Sequence, residues 1–170
     1  MRRAARLLAL AAPLVFAAPS CSSAPYDAGA DFPHREVLDV LHLQTLAWNK
    51  GDIEGFLRGY RSHSSTTFIS NGDRFIGFEA VAARFRGRYG SGNDTAGMGH
   101  LEFSEYGILR IDEDDAVVNG RFALDRGDKG VDWGRFTVVM RKFPDYGWQI
   151  VHDHTSTPMP PPATDATPGS

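Results

Sequence analysis

With one cysteine in 170 residues, the chain cannot close a disulfide within itself, so its fold must be held by an apolar core. It has no surplus of basic residues: 18 lysines and arginines stand against 21 acids, a formal charge of −3. That balance disfavours nucleic acid as a partner. Beyond the first twenty positions no apolar run approaches the roughly 20 residues that a membrane span needs. The Gly-x-Ser-x-Gly turn that presents a nucleophilic serine is missing, as are the phosphate loop and the dinucleotide fingerprint. What remains is a chain long enough for one domain with a real core.

The first residues stand apart from that domain. Arg2, Arg3 and Arg6 precede an apolar run from Leu7 to Ala18 and then small residues, the pattern of a secretion signal over 1–20. Cys21 sits where cleavage would fall, and this part resembles a bacterial lipoprotein signal. The resemblance implies a lipid on Cys21 as the protein's membrane attachment; plain secretion is the alternative. Losing 1–20 removes three arginines and no acid, which moves the formal charge from −3 to −6. The expected protein is exported to a bacterial cell envelope, lipid-anchored or periplasmic or secreted. Residues 21–31 are expected to form a tether and 32–156 the domain, with 157–170, rich in Pro, Ala and Thr, a disordered tail.

Within the domain, Pro33 suits a first helical turn, and Arg35, Asp39, His42 and Asn49 recur as one polar stripe. Val37, Leu38, Val40, Leu41, Leu46 and Trp48 fill most of the remaining circumference, so other elements are expected to clasp this helix. Gly51 can end it and Asp52 can cap a short second helix over 53–60. Asn71-Gly72 tolerates the positive φ angles of a tight turn and predicts a hairpin between 66–70 and 74–77. Helical spacing returns over 78–89, with Val81, Phe85 and Tyr89 inward and Arg84, Arg86 and Arg88 toward solvent. A glycine-rich loop over 90–99 leads to four strands at about 101–111, 116–126, 133–143 and 147–156. Helices first and a meander afterwards imply an α+β fold, one curved sheet wrapped around a long helix. Apolar residues on both faces of the third long strand, Phe136, Val138 and Met140 against Val139, predict a homodimer through the outer sheet face.

Trp48-Asn49-Lys50-Gly51-Asp52 at the end of the first helix and Gly147-Trp148-Gln149-Ile150-Val151-His152-Asp153-His154-Thr155-Ser156 as the last strand, together with this element order, resemble the SnoaL-like branch of the nuclear transport factor 2-like superfamily. More narrowly they resemble the group called domain of unknown function 4440. The likeness spans about 34–156. It implies a cone-shaped, cystatin-like α+β barrel with an antiparallel or mixed sheet, usually dimeric, and a pocket between the first helices and the concave sheet. Relatives of that fold include ketosteroid isomerases, polyketide cyclases, dehydratases and non-catalytic modules, so function has to be argued from the site.

Regular alternation on the last strand puts Trp148, Ile150, His152, His154 and Ser156 on one face, and the Trp and Ile make it the inner one. His152 and His154 are then expected to edge the pocket, with Asp153 outward. An imidazole there can exchange a proton near neutral pH; it can equally close the polar end of the barrel by hydrogen bonding. His-x-His on a strand can bind zinc, with His100 or an acid as third ligand, but no second ligand pair at diagnostic spacing accompanies it; neither metal nor cofactor is expected. Trp48 and Tyr60 stand out from the aromatic group Trp48, Phe56, Tyr60, Phe68 and Phe85, because each carries a polar handle able to orient a ligand. Arg121 and Asp125 fall on the outer face by parity, unless Arg121 reaches the pocket mouth to grip an anion. The carboxylate base and Tyr–Asp pair of ketosteroid isomerase cannot be placed on this count. The expected function is binding of a small hydrophobic molecule in an apolar pocket edged by Trp48, Tyr60, His152 and His154. The alternatives are an isomerase, cyclase or dehydratase with His154 or His152 as acid–base, and a non-catalytic dimerisation module.

Overall fold

Val37, Leu41, Gln44 and Trp48 form one buried stripe along α1 (His34–Trp48), the long helix that packs against the sheet. The computed structural model describes residues 34–90 and 95–158; the expected signal, Cys21, the tether and the tail from 159 lie outside them. No helix among the described residues is long and apolar enough to cross a membrane. Leu38 and Val40 are half-buried, but Leu43 and Leu46 are 62% and 43% exposed, so α1 is clasped on one side only and not all round as its composition predicts.

Gly51 ends the helical turn with φ of 77°, and Asp52 caps α2 (Ile53–Leu57) by accepting the Gly55 N–H at 2.7 Å. The turn between β1 (Thr67–Ser70) and β2 (Asp73–Ile76) has positive φ at both Asn71 and Gly72, the geometry a two-residue hairpin prefers. α3 (Phe78–Tyr89) buries Val81, Ala82 and Phe85. The glycine-rich segment that follows contains a short helix, α4 (Thr95–Met98), whose Met98 is fully buried. Then come β3 (His100–Arg110), β4 (Asp115–Asp125), a 3-10 turn (Gly127–Lys129), β5 (Val131–Phe143) and β6 (Gly147–Ser156).

The six strands form one mixed sheet in the order β2-β1-β6-β5-β4-β3, antiparallel throughout except for the parallel pair β1 and β6. It is an α+β cone whose sheet stays open, with β2 at one edge and β3 at the other. Val118, Phe136, Val138, Met140 and Ile150 cover the concave face and meet Val37, Leu41, Phe56 and Leu57 from the helices in one core. Two strands are irregular: β3 slips between Ser104 and Gly107, and β6 slips against β5 between the partners of Val139 and Met140.

Candidate functional site

The slip in β6 decides which side chains face inward. Met140 pairs with Ile150 and Val139 pairs with His152, so Val151 is an extra residue, a β-bulge. A bulge interrupts the two-residue alternation and resets which face the following side chains take. Trp148 and Ile150 point into the core before it, and Asp153 is buried after it, opposite the inward Val138 and Phe68. His152 and His154 fall on the outer face, opposite Val139 and Thr137. The expectation that they edge the pocket with Asp153 outward is therefore corrected. His154 is exposed, and His152 is half-buried with Nδ1 in hydrogen-bond contact with the Thr67 hydroxyl at 2.5 Å. Burial, with the neighbouring charges of His154 and Arg74, pushes the pKa of His152 below the ordinary imidazole value.

Between the helices and the concave sheet lies a cavity of about 510 Å³. Its deep wall is aromatic. Trp48 meets Phe56 edge-on at 5.0 Å, Phe56 meets Phe85 at 5.0 Å, and Phe85 meets Phe68 at 5.2 Å, while Phe103 and Phe136 contact each other at 5.1 Å on the sheet side. Such contacts form because ring edges carry the partial charge opposite to ring faces. A second wall is polar: Asp153, Thr155 and Ser70, then Asn71 and Thr157, where the Thr157 hydroxyl donates to Asn71 Oδ1 at 3.3 Å. The exposed residues among its lining, Asn71, Arg88, Val131, Asp132, Trp133, Thr157 and Pro158, mark the mouth, and half-buried Arg84 lies one helical turn before Arg88.

Asp153 and Tyr60 form the polar centre of the deep end. The Tyr60 hydroxyl donates to Asp153 Oδ2 at 2.6 Å and the Thr155 hydroxyl donates to Oδ1 at 3.0 Å. Tyr60 is held there by the chain that leaves α2: Ile150 N–H donates to the Gly59 carbonyl and Arg61 N–H to the Ile150 carbonyl, which ties residues 59–61 beside β6. Burial raises the Asp153 pKa from 3.8 to about 6, although its two hydroxyl donors and the charge of His154 act the other way. Burial, then the charge of Asp153 and the shared hydrogen bond, pushes the Tyr60 phenol well above its ordinary value, so Tyr60 remains a donor at neutral pH. The arrangement can hold a polar group inside an apolar cavity and can move a proton at a carboxyl oxygen.

Both aromatic residues singled out by their polar handles, Trp48 and Tyr60, line this cavity, and both handles are already engaged: Trp48 Nε1–H donates to the Gly99 carbonyl at 3.2 Å. Arg121 has the outer-face parity of β4 and does not line the cavity, but its guanidinium lies 5.1 Å from the centroid of Trp133, a ring at the cavity mouth. Arg84 and Arg88 line the cavity mouth, closer to the site than a solvated helix face implies. Among the described residues no three His, Cys, Asp or Glu side chains converge as a metal site, and His100 stands exposed at the start of β3. Asp153 is the residue that counting along the strand misplaces. Alternation gives no hint of where a strand bulges, and no other signal in the sequence marks Asp153.

No protein-family model and no curated protein matches this chain. Solved structures do. An NTF-2-like protein of unknown function from Shewanella oneidensis MR-1 is 31% identical, with 74% of this chain and 99% of that one covered and a TM-score of 0.67. An NTF2-like superfamily protein from Salmonella enterica serovar Typhimurium LT2 is 23% identical over 78% of this chain and 96% of that one, with a TM-score of 0.57. A ketosteroid isomerase-like protein from Erwinia carotovora atroseptica SCRI1043 is 18% identical over 74% and 96%, with a TM-score of 0.56. The last two likenesses concern the fold alone, and none singles out the domain of unknown function 4440 group.

Proposed function

The chain belongs to the nuclear transport factor 2-like superfamily, and on that premise we propose that it is a SnoaL-like binding protein of the cell envelope whose cavity takes a small, mostly apolar molecule with a polar group at its deep end. The carrying observation is the Asp153–Tyr60 pair at the deep end of an aromatic cavity. A carboxyl group taken out of water is expensive to keep, and a side chain needed only for packing would be better apolar. The cavity volume suits a small organic ligand, and its lining follows the usual plan of many apolar groups and few polar ones. Above pH of about 6 Asp153 is an acceptor, so the ligand group it receives there is a donor, such as a hydroxyl. Native mass spectrometry of protein purified without refolding tests this. We expect a retained small molecule that Asp153→Leu and Tyr60→Phe lose; a ligand kept by both variants would move the site elsewhere.

A second reading, an enzyme, is favoured by one observation: a carboxyl group with a pKa of about 6 faces the cavity beside a phenol donor. With His152 and His154 turned outward, the acid–base role in an isomerase, cyclase or dehydratase reaction on a hydrophobic carbonyl compound passes to Asp153. Export and a lipid on Cys21 belong to the same proposal and rest on the sequence of residues 1–21. Globomycin should then block processing of the precursor; normal processing with no acyl chain on Cys21 would leave plain secretion.

A further inference from the structure

We infer that the occupant of this cavity is an amphipathic anion: besides the donor group that Asp153 receives, its apolar body carries an oxyanion head held between Arg84 and Arg88. The inference rests on the binding reading above and specifies the class of ligand. Arg84 and Arg88 are four residues apart on α3, neighbours on one helix face, and both line the cavity. Neither is paired with a carboxylate among the described residues. Arg84 lies over the Phe75 ring at 5.7 Å, and Arg88 lies over the Tyr89 ring at 5.6 Å with its Nε–H donating to the Tyr89 hydroxyl at 3.2 Å. Their neighbours are committed: Arg86 makes a two-bond pair with Glu54 at 2.7 and 2.8 Å.

The acids of the cavity lining are Asp132 and Asp153. Asp132, at the mouth, is already paired with Arg126 at 3.1 Å, so the mouth keeps the positive charge of Arg84 and Arg88. Those two full charges outweigh the roughly half negative charge at the C-terminal end of a helix, which α3 reaches at Tyr89. Asp153 fixes the other end. Ionised at neutral pH, it repels an anionic head from the deep wall, so the head has to stay outside while the apolar body goes in. A guanidinium offers several N–H donors in a plane, which suits a carboxylate, sulfonate or phosphate oxygen pair.

Two fluorescent probes with one skeleton separate the parts of this argument. N-phenyl-1-naphthylamine is neutral, and 8-anilino-1-naphthalenesulfonate adds only a sulfonate. With wild-type protein purified without refolding we expect the sulfonate to bind about tenfold more tightly than the neutral probe, a difference that two partly screened charges can supply. Arg84→Gln/Arg88→Gln should abolish that preference by weakening the sulfonate far more than the neutral probe, while Arg84→Lys/Arg88→Lys should keep most of it. Equal affinity of wild type for the two probes, or a preference that survives the glutamine substitutions, overturns the anion inference and leaves the cavity reading standing. Failure of the neutral probe to bind wild type overturns both. Should the glutamine variant unfold, loss of the preference at 0.5 M salt in wild type serves as the second readout, and its persistence there counts against the inference.

Discussion

Ionising Asp153 in its apolar surroundings opposes folding, and the direction of its pKa shift sets the pH window. The folded chain holds the proton to about pH 6, whereas an unfolded carboxyl releases it near 3.8. The group's contribution to stability is thus fully present below the unfolded value and is lost as pH rises through about 6. A difference of about two pKa units corresponds to about 3 kcal/mol. His152 acts in the opposite sense: its lowered folded pKa gives stability that is present above the ordinary imidazole value and lost as pH falls through the folded one. Wild type alone therefore shows a blunted profile. Urea denaturation of wild type and Asp153→Asn at several pH values between 4 and 8 should separate them, with wild type losing stability relative to the variant across pH 4 to 6.5; parallel profiles would mean that Asp153 is not buried as described. Tyr60→Phe deletes a donor that holds the Asp153 pKa down. We expect that pKa to move above about 6 and stability at pH 8 to fall by about 1–3 kcal/mol, with a smaller loss at pH 5. Carboxyl-carbon NMR titration checks the first part and urea denaturation at the two pH values the second.

Among the elements, β6 carries the most consequence, because one inserted residue turns a strand that would present imidazoles to the cavity into one that presents a carboxylate. Deleting Val151 restores a regular ladder from Met140–Ile150 to Val139–His152 and keeps every later residue on its present face. Such a variant should fold and keep the raised Asp153 pKa; an Asp153 that titrates like an exposed carboxyl would show that the extra residue lies elsewhere. On β5, a methyl group added at Gly134 would stand 2.0 Å from the Ser156 carbonyl oxygen and 2.7 Å from the Phe122 ring. Gly134→Ala should cost at least about 1–3 kcal/mol, seen as a lowered thermal midpoint. The order of the main elements is legible in the sequence, since Asn71-Gly72, Gly51-Asp52 and the glycine-rich breaks are local signals that local chemistry fixes. The parallel β1–β6 pairing and the bulge at Val151 are not, because both are set by contacts between residues about 80 positions apart or by the curvature of the closed core. Trp48 and Tyr60 were readable from their chemistry as side chains that line the cavity. Asp153 was not, because its role depends on which face the strand presents.

At the scale of the whole molecule, the convex face of the sheet bears Val117, Val139, Thr137 and Leu109 among polar residues. We propose that a second copy of the chain covers this face, and light scattering at micromolar concentration should give twice the monomer mass; Val139→Glu should return it to a monomer while the cavity still binds the neutral probe. A sheet that stays open also has two margins. β2, at one, is only four residues long. At the other, β3 has β4 on one side alone, and there the Asn49 side chain does the work of a missing neighbour: its Oδ1 accepts the Leu101 N–H at 2.7 Å and its Nδ2 donates to the Leu101 carbonyl at 3.0 Å. The amide copies the donor and acceptor of one residue of an adjacent strand, at the place where another polypeptide would begin to pair. Asn49 thus occupies, at Leu101, the backbone groups that an added strand would need in order to dock on this margin.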